Sequence, residues 1–423
     1  MTIFGIIWLT ICFAFFVLPD IRYLTTLTIL GMVLQSDNVI TFIGNGVGAQ
    51  IITSAIFIIR VLIEFRASIR ISVKSAILFV PMIGFFLVAL YSSWINNSLE
   101  ARFLHLMQLL IYILAFYAMY IASRKLDRTS VYRMMKGVAI FCVVIGFVQL
   151  LITSNLIPRL DVVTELFFND KSKVVYYHLD NYFRVTSTFM EPSYYAGFAV
   201  GMMFYFITFE EKLKSNLWLI ILLGIQIILT FSTTAYAITL IVGVLYLAFI
   251  KGGKRKIIIL LLGITAFLIL YFLFYDVLDK VVFSKAESGS GITRYYWDQA
   301  ALKEFNKSPV YGIGYKNVRG SSIFYSLLGE LGILGVTAFF VVMASVLVLL
   351  VQTIGTKTRD AGLLGALLGV SGVLAAQLIA CPDFDLCTLW IWYYLLALHI
   401  GTAPELERLY TKKSRLRFRL AHD

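Results

Sequence analysis

The chain has 423 residues, of which 60% are hydrophobic, 15% aromatic and only 14% charged. A soluble core cannot absorb that much apolar surface, so composition excludes a water-soluble globular domain and indicates an all-α, polytopic membrane protein. The formal net charge of +12 follows from topology, because the basic residues gather in one set of short connections. It is not a nucleic-acid footprint.

Crossing about 30 Å of hydrocarbon takes roughly 20 apolar residues, and only closed hydrogen bonding survives there, so each long apolar run predicts a helix. Thirteen segments qualify, at residues 3–19, 22–43, 47–63, 76–95, 103–123, 135–153, 192–209, 216–232, 234–250, 257–275, 321–351, 361–380 and 387–403. The expectation is one integral membrane domain over 1–423, a bundle of about 13 spans (12–14), with large loops at 154–191 and 276–320 and a basic tail at 405–423. Met1 to Val17 lacks a basic stretch and does not read as a cleaved signal peptide.

Orientation follows from Lys and Arg. The connections 64–75, 124–136, 210–216, 251–256 and 352–360, with the tail, hold 22 of the 36 basic residues, whereas the alternate connections 35–46, 96–102, 231–235 and 381–387 hold only Arg102. The positive-inside bias places the first set in the cytoplasm and the second outside. Parity then puts both large loops and the N-terminus outside. The short basic connections leave no room for a nucleotide-binding domain, and no GxxxxGK[ST] string is present.

Cys12 and Cys142 lie in apolar segments and read as packing residues. Cys381 and Cys387 flank CPDFDLC, where an oxidising compartment permits a disulfide. The first large loop is too rich in aromatic and aliphatic residues for a linker and is expected to pack on the bundle or the bilayer surface. The second breaks at Ser288 to Gly291, after which TRYYWDQAALKEF predicts a short amphipathic helix from near Thr293.

Both loops end in strings that a span does not need, RVTSTFMEPSYYAG from Arg184 and SPVYGIGYKNVRGSSIFYSLLGELGILG from Ser308. Pro192 fits the first turn of a helix and pushes Glu191 to extended geometry. The helix terminus there faces the loop, where free amides bind phosphate-like groups and Arg184 adds a fork. Equally, Glu191 complements the helix dipole while Arg184 reaches headgroups. Arg294 with Tyr295, Tyr296 and Trp297 suits phosphate pairing with sugar stacking, or a membrane-interface belt. Lys316 and Arg319 follow the Gly312-Ile313-Gly314 turn on the same side, so four cations converge there or face solvent. Glu330 falls about nine residues, near 14 Å, below Ser321, where an ionisable group faces protein or a cavity, and Gly329, Gly332 and Gly335 suit close helix approach. His178, Asp180 and His105 are candidate bases on the outer side.

Together the two strings resemble the bacterial O-antigen polymerase and O-antigen ligase superfamily. The matching residues are Arg184, Glu191, Pro192 and Ser193, then Arg294, Pro309, Gly312, Gly314, Glu330, Gly332 and Gly335. The ligase-type His-Asn pair is replaced by Ser321 and Ser322, which favours the polymerase branch. The resemblance implies a cofactor-free glycosyltransferase that moves a growing glycan from undecaprenyl pyrophosphate to a lipid-linked repeat unit at the periplasmic face of the inner membrane. It implies Arg184, Glu191 and Arg294 as catalytic residues, Lys316, Arg319, His178, Tyr295 and Trp297 as substrate-binding residues, Glu330 as structural, and no metal ligands. The implied partners are the lipid-linked oligosaccharide, the bilayer, a chain-length regulator and a flippase. Ligation to lipid A core and flipping of lipid-linked oligosaccharide are the competing activities.

Overall fold

The computed structural model describes residues 2–35, 39–42, 45–65, 72–154, 156, 178–179, 182–249, 256–257, 261, 289–355 and 360–402. Among these are thirteen α-helices. They are α1 (Ile3–Val17), α2 (Ile21–Val33), α3 (Ala49–Phe65), α4 (Val73–Ile95), α5 (Leu99–Ala122), α6 (Arg128–Thr153), α7 (Pro192–Thr208), α8 (Leu213–Leu229), α9 (Thr233–Phe249), α10 (Gly289–Lys307), α11 (Ile323–Gly355), α12 (Ala361–Ile379) and α13 (Cys387–Thr402). Two 3-10 turns, Ser123–Lys125 and Glu210–Lys212, and two short antiparallel hairpins, Ile40–Phe42 with Asn45–Val47 and His178–Leu179 with Tyr182–Phe183, complete the described elements.

Twelve of the thirteen apolar segments read from the sequence overlap helices, but the second, expected over 22–43, is helical only to Val33, and Ile40–Phe42 within it is a hairpin strand. The segment 257–275 lies outside the described residues but for its first and fifth positions, as do most of the first large loop, the start of the second and the tail. Six helices are long and apolar enough to cross a membrane, and α1, α2 and α9 are shorter apolar helices. The chain is therefore a helical membrane protein. Helix α10, the described helix that matches none of the apolar segments, lies within the second loop and begins at Gly289, four residues before the expected start near Thr293. Ser290 and Gly291 thus belong to its first turn and are not a break.

Helix α13 forms the axis. Its sequence, CTLWIWYYLLALHIGT, is apolar on every face, and a helix of that kind must be covered all round. Every residue from Cys387 to Gly401 is buried. Helices α5 and α12 pack along it, α7 packs on α12, and α4 packs on α11. Polar side chains on the axis find partners among the surrounding helices: Tyr112 Oη meets Cys387 Sγ at 3.4 Å, Gln35 Nε2 donates to Thr388 Oγ1 at 3.2 Å, and Ser54 Oγ meets Tyr394 Oη at 3.4 Å.

The helix ends sort into two rims. At the lower rim the basic connections touch one another: Lys125 pairs with Glu64, Arg128 with Asp360 at 2.7 Å, and Tyr132 Oη donates to Asn216 at 2.6 Å. Asp20, Asp127 and Asp360 cap α2, α6 and α12 here, accepting from first-turn amides. At the upper rim the charge-poor connections gather with the ends of both large loops. Among the described residues the connections fall into the two sets read from Lys and Arg in the sequence, while 66–71, 251–255, 356–359 and the basic tail lie outside the described residues.

One helix departs from the expected continuous span. Gly332 in α11 has φ 61° and ψ −157°, so the helix is two pieces, 323–331 and 333–355. The second piece is about 34 Å long at 1.5 Å per residue and suffices to cross the hydrocarbon by itself. Glu330 therefore lies in the first piece, two residues before the break, and not within one continuous helix. Ser92, three residues before the end of α4, donates to the Glu330 carbonyl at 3.1 Å, which fixes the same level from a neighbouring helix.

Candidate active site

The string before α7 is pinned by its own short polar side chains. Val185 N–H donates to the Leu229 carbonyl at 3.1 Å, Ser187 Oγ to the Cys142 carbonyl at 2.7 Å, and Thr188 Oγ1 to the Val33 carbonyl at 2.7 Å. Gln149 on α6 clasps the middle, accepting from Ser187 N–H at 2.8 Å and donating to the Ser187 carbonyl at 2.6 Å. Ser and Thr bond backbone carbonyls readily at helix ends, which is why RVTST lies across α2, α6 and α8 instead of extending a helix. Arg184 Nε donates to the Thr230 carbonyl at 2.9 Å, which anchors the guanidinium at the α8–α9 corner.

Glu191 is extended, with φ −137° and ψ 150°, and Pro192 takes the first helical position, as the Glu-Pro pair predicts. The terminus is nevertheless a poor phosphate cradle. Pro192 has no N–H, and Tyr194 and Tyr195 both donate to the Glu191 carbonyl at 3.1 Å. The Glu191 carboxylate also accepts from Ser193 Oγ at 3.2 Å and so lies over the terminus itself. The expected array of free amides is reduced by the chain's own acceptors.

The second string folds into the break in α11. Ile313 N–H donates to the Gly329 carbonyl at 3.1 Å and Gly314 N–H to the Glu330 carbonyl at 2.8 Å. In return Ile333 N–H donates to the Pro309 carbonyl at 2.9 Å and Leu334 N–H to the Val310 carbonyl at 3.1 Å. The turn thereby satisfies donors and acceptors that the helix loses at Gly332. A Cβ at Gly312, whose φ is 64°, would stand 2.2 Å from the Glu330 carbonyl carbon, and one at Gly332 would stand 2.5 Å from the Pro309 oxygen. Gly332 thus serves a loop insertion, whereas Gly329 does serve close helix approach, since a Cβ there would stand 2.9 Å from the Ala301 carbonyl oxygen of α10.

The α4–α5 corner grips the same turn. Ser93 Oγ accepts from Tyr315 N–H at 3.1 Å, Asn96 Nδ2 donates to the Gly312 carbonyl at 3.1 Å, and Arg102 Nε donates to Asn317 Oδ1 at 2.6 Å. Asp298 on α10 accepts from Ser321 N–H at 2.7 Å and Ser321 Oγ at 2.8 Å, tying the second loop's helix to the start of α11.

Lys316 does not face outward with the other cations. It has φ 61°, an uncommon conformation for a residue with a side chain, and it is held there from three sides. Its backbone N–H donates to the Glu330 carboxylate, and Nζ pairs with Asp383 and, at 2.7 Å, with Asp385. Burial opposes the charge, but Asp385 and Asp383 hold the Lys316 pKa above its ordinary value. Burial likewise opposes the Asp383 charge, and Lys316 first, then Arg319 and His105, bring its pKa below the usual carboxylate range. Lys316 is therefore not one of the expected outward cations, and Arg184 is anchored separately at Thr230.

Arg319 reaches α10 within one turn of Arg294, by way of Trp297. Arg319 is exposed and its guanidinium lies 4.7 Å from the centre of the Trp297 ring. The charges of Glu191, Asp383, Arg294 and Arg319 all reach the Cys381 thiol, whose pKa is raised chiefly by burial. Two strings more than 100 residues apart in sequence, together with the 381–387 connection, thus share one patch of the upper rim. Tyr295 and Tyr296 are 60% and 66% exposed beside it, with ring centres 5.8 Å apart. His178 lies on a hairpin strand opposite Phe183. Asp180 lies outside the described residues.

Cys381 and Cys387 are buried, unbridged thiols. Asp383 and Asp385, in the same connection, went unread in the sequence. The available signal was two acids spaced by one residue, which share a side of an extended loop, in a chain otherwise rich in cations. His105 Nδ1 lies 4.0 Å from Asp385 Oδ2, with 45% of the histidine side chain exposed. Among the described residues no group of three or more His, Cys, Asp and Glu side chains is arranged to hold a metal ion.

No protein-family model and no curated protein matches the sequence.

Proposed function

We propose that the chain is a polymerase of lipid-linked glycan, built on thirteen spans with both large loops on the periplasmic side of a bacterial inner membrane. The observation that carries this reading is the seating of the Arg319 guanidinium 4.7 Å from the Trp297 ring centre, which brings the second string onto α10 within one turn of Arg294. A polyprenyl pyrophosphate donor leaves as an anion, and fixed guanidinium groups at the membrane surface stabilise the charge that develops on it. Arg294 and Arg319 take that role. Arg184 joins them on the resemblance, anchored through Nε at Thr230. Lys316 acts through Asp383 and Asp385 as a positioning residue. The exposed Tyr295 and Tyr296 rings and Trp297 offer faces on which sugar rings stack.

Ser321 stands where the ligase type carries histidine, and it is engaged with Asp298, which supports polymerisation over ligation. The test is deletion of the gene in cells that keep a separate ligase. The polymerase reading expects one repeat unit to remain attached to the acceptor lipid while the ladder of longer chains disappears. Loss of all attachment with accumulation of lipid-linked polymer identifies a ligase. Accumulation of single repeats on the cytoplasmic face identifies a flippase.

A further inference from the structure

Glycosyl transfer to a hydroxyl needs a base as well as cations, and neither string supplies a convincing one. Glu191 lies over the start of α7 with its carboxylate already engaged by the Ser193 hydroxyl at 3.2 Å. Glu330 is buried, with its carboxylate on the Lys316 amide. Position 321 carries serine.

His105 differs from these. It sits on the second turn of α5 at the upper rim, half-exposed, with Nδ1 turned to Asp385 at 4.0 Å. Asp385 is 6% exposed and is held in place by Lys316 at 2.7 Å. Lys316 in turn is fixed by Asp383, and Asp383 is the group on which His105 and Arg319 both act. Charged contacts therefore run from the histidine through Asp385 and Lys316 to Asp383, whose charge Arg319 also influences. The charged groups facing the imidazole are Asp385 and Asp383 from the 381–387 connection, Lys316 from the second loop and Arg102 from its own helix.

We infer that His105 is the general base of the proposed transfer and that Asp385 orients it. The acceptor hydroxyl oxygen forms its bond to the donor's anomeric carbon as the bond from that carbon to the pyrophosphate oxygen breaks. The electron pair leaves with the pyrophosphate. The hydroxyl proton passes to His105 Nε2, and Asp385 balances the imidazolium. The gap of 4.0 Å is longer than a hydrogen bond and closes by about 1 Å when substrate is seated, a tightening common in enzymes.

This inference rests on the polymerase reading, and the experiment separates the two. The full-length protein in proteoliposomes is given purified undecaprenyl pyrophosphate-linked repeat units, and product chains are counted for wild type, H105A, H105Q and D385N, with thermal unfolding measured for each. Wild type makes a ladder. H105A and H105Q remain folded and lose about 100-fold or more in kcat with KM little changed. Added imidazole restores part of the H105A activity, and the acidic limb of the wild-type pH profile is absent from H105Q. D385N shifts that limb. An active wild type with an equally active H105A overturns the base assignment alone. So does an H105A loss that imidazole does not rescue with the acidic limb kept in H105Q. A wild type that makes no polymer overturns the polymerase reading, and this inference with it.

Discussion

The carbonyl of Pro309 accepts the amide of Ile333 at 2.9 Å, one residue beyond the left-handed Gly332, so a surface loop supplies the acceptor that α11 gives up at its break. The loop and the half-helix stand or fall together. Gly332→Ala places a Cβ in a backbone region open almost only to glycine and 2.5 Å from the Pro309 oxygen. The expected cost is about 2–3 kcal/mol, read as a lowered midpoint of thermal unfolding in detergent. Gly312→Ala should cost a similar amount, and the double variant less than the sum, because both break one unit. Full additivity would show that the loop and the break are independent.

Lys316→Met leaves Asp383 and Asp385 buried without their counter-ion. Removing one partner from a buried pair costs about 3 kcal/mol. Adding Asp383→Asn and Asp385→Asn to Lys316→Met should recover most of that loss, since no uncompensated charge then remains. Hydrogen exchange at 381–387 is the local readout. An unchanged exchange rate in the single variant would remove Lys316 as the clamp of this connection.

The same cluster fixes a pH dependence. Lys316 is raised above its ordinary 10.5, so its contribution is complete below that value and is lost only as pH rises through the folded pKa. Asp383 is lowered below its ordinary 3.8, so its contribution is complete above that value and is lost as pH falls. The wild-type contribution of the cluster should stay flat between about pH 5 and pH 10. In Lys316→Met burial raises Asp383, so the variant's deficit should be largest at high pH and narrow as pH falls and the carboxylate is protonated. A deficit that does not narrow as pH falls would mean that Lys316 does not hold the Asp383 charge.

Alkylation provides a simple check on the 381–387 connection. Unfolded protein prepared without reductant should take up alkylating reagent at both Cys381 and Cys387, because both are thiols. Native protein should react slowly at Cys381, where burial keeps the thiol protonated. A mass two hydrogens short, with neither cysteine labelled, would establish the disulfide that the sequence permits.

Much of the architecture was legible in the sequence. Apolar length located twelve of the helices, and the placement of Lys and Arg sorted their ends into the two rims. The Glu-Pro pair gave the start of α7. What escaped depended on contacts between distant segments. Hydropathy passes straight through Gly332, because residues on both sides are apolar, so the break in α11 shows only as a glycine spacing that also suits helix packing. Lys316 looked like one more outward cation, because its partners Asp383 and Asp385 come from a connection nearly 70 residues away, where the cysteines drew the eye. His105 was visible as a histidine near an outer helix end. Its aspartate was not.

The central claim is that lipid-linked glycan is polymerised at the Arg294–Arg319 patch. The most direct measurement is reconstitution of wild type, Arg294→Ala and Arg319→Ala in liposomes with a purified undecaprenyl pyrophosphate-linked repeat unit as sole substrate, followed by separation of the products by chain length. The account predicts a ladder of chains from wild type and only unextended repeat unit from both folded alanine variants, with Arg→Lys restoring little because a point charge does not replace the planar fork. A wild-type protein that leaves the repeat unit unextended, or alanine variants that still build long chains, would contradict it.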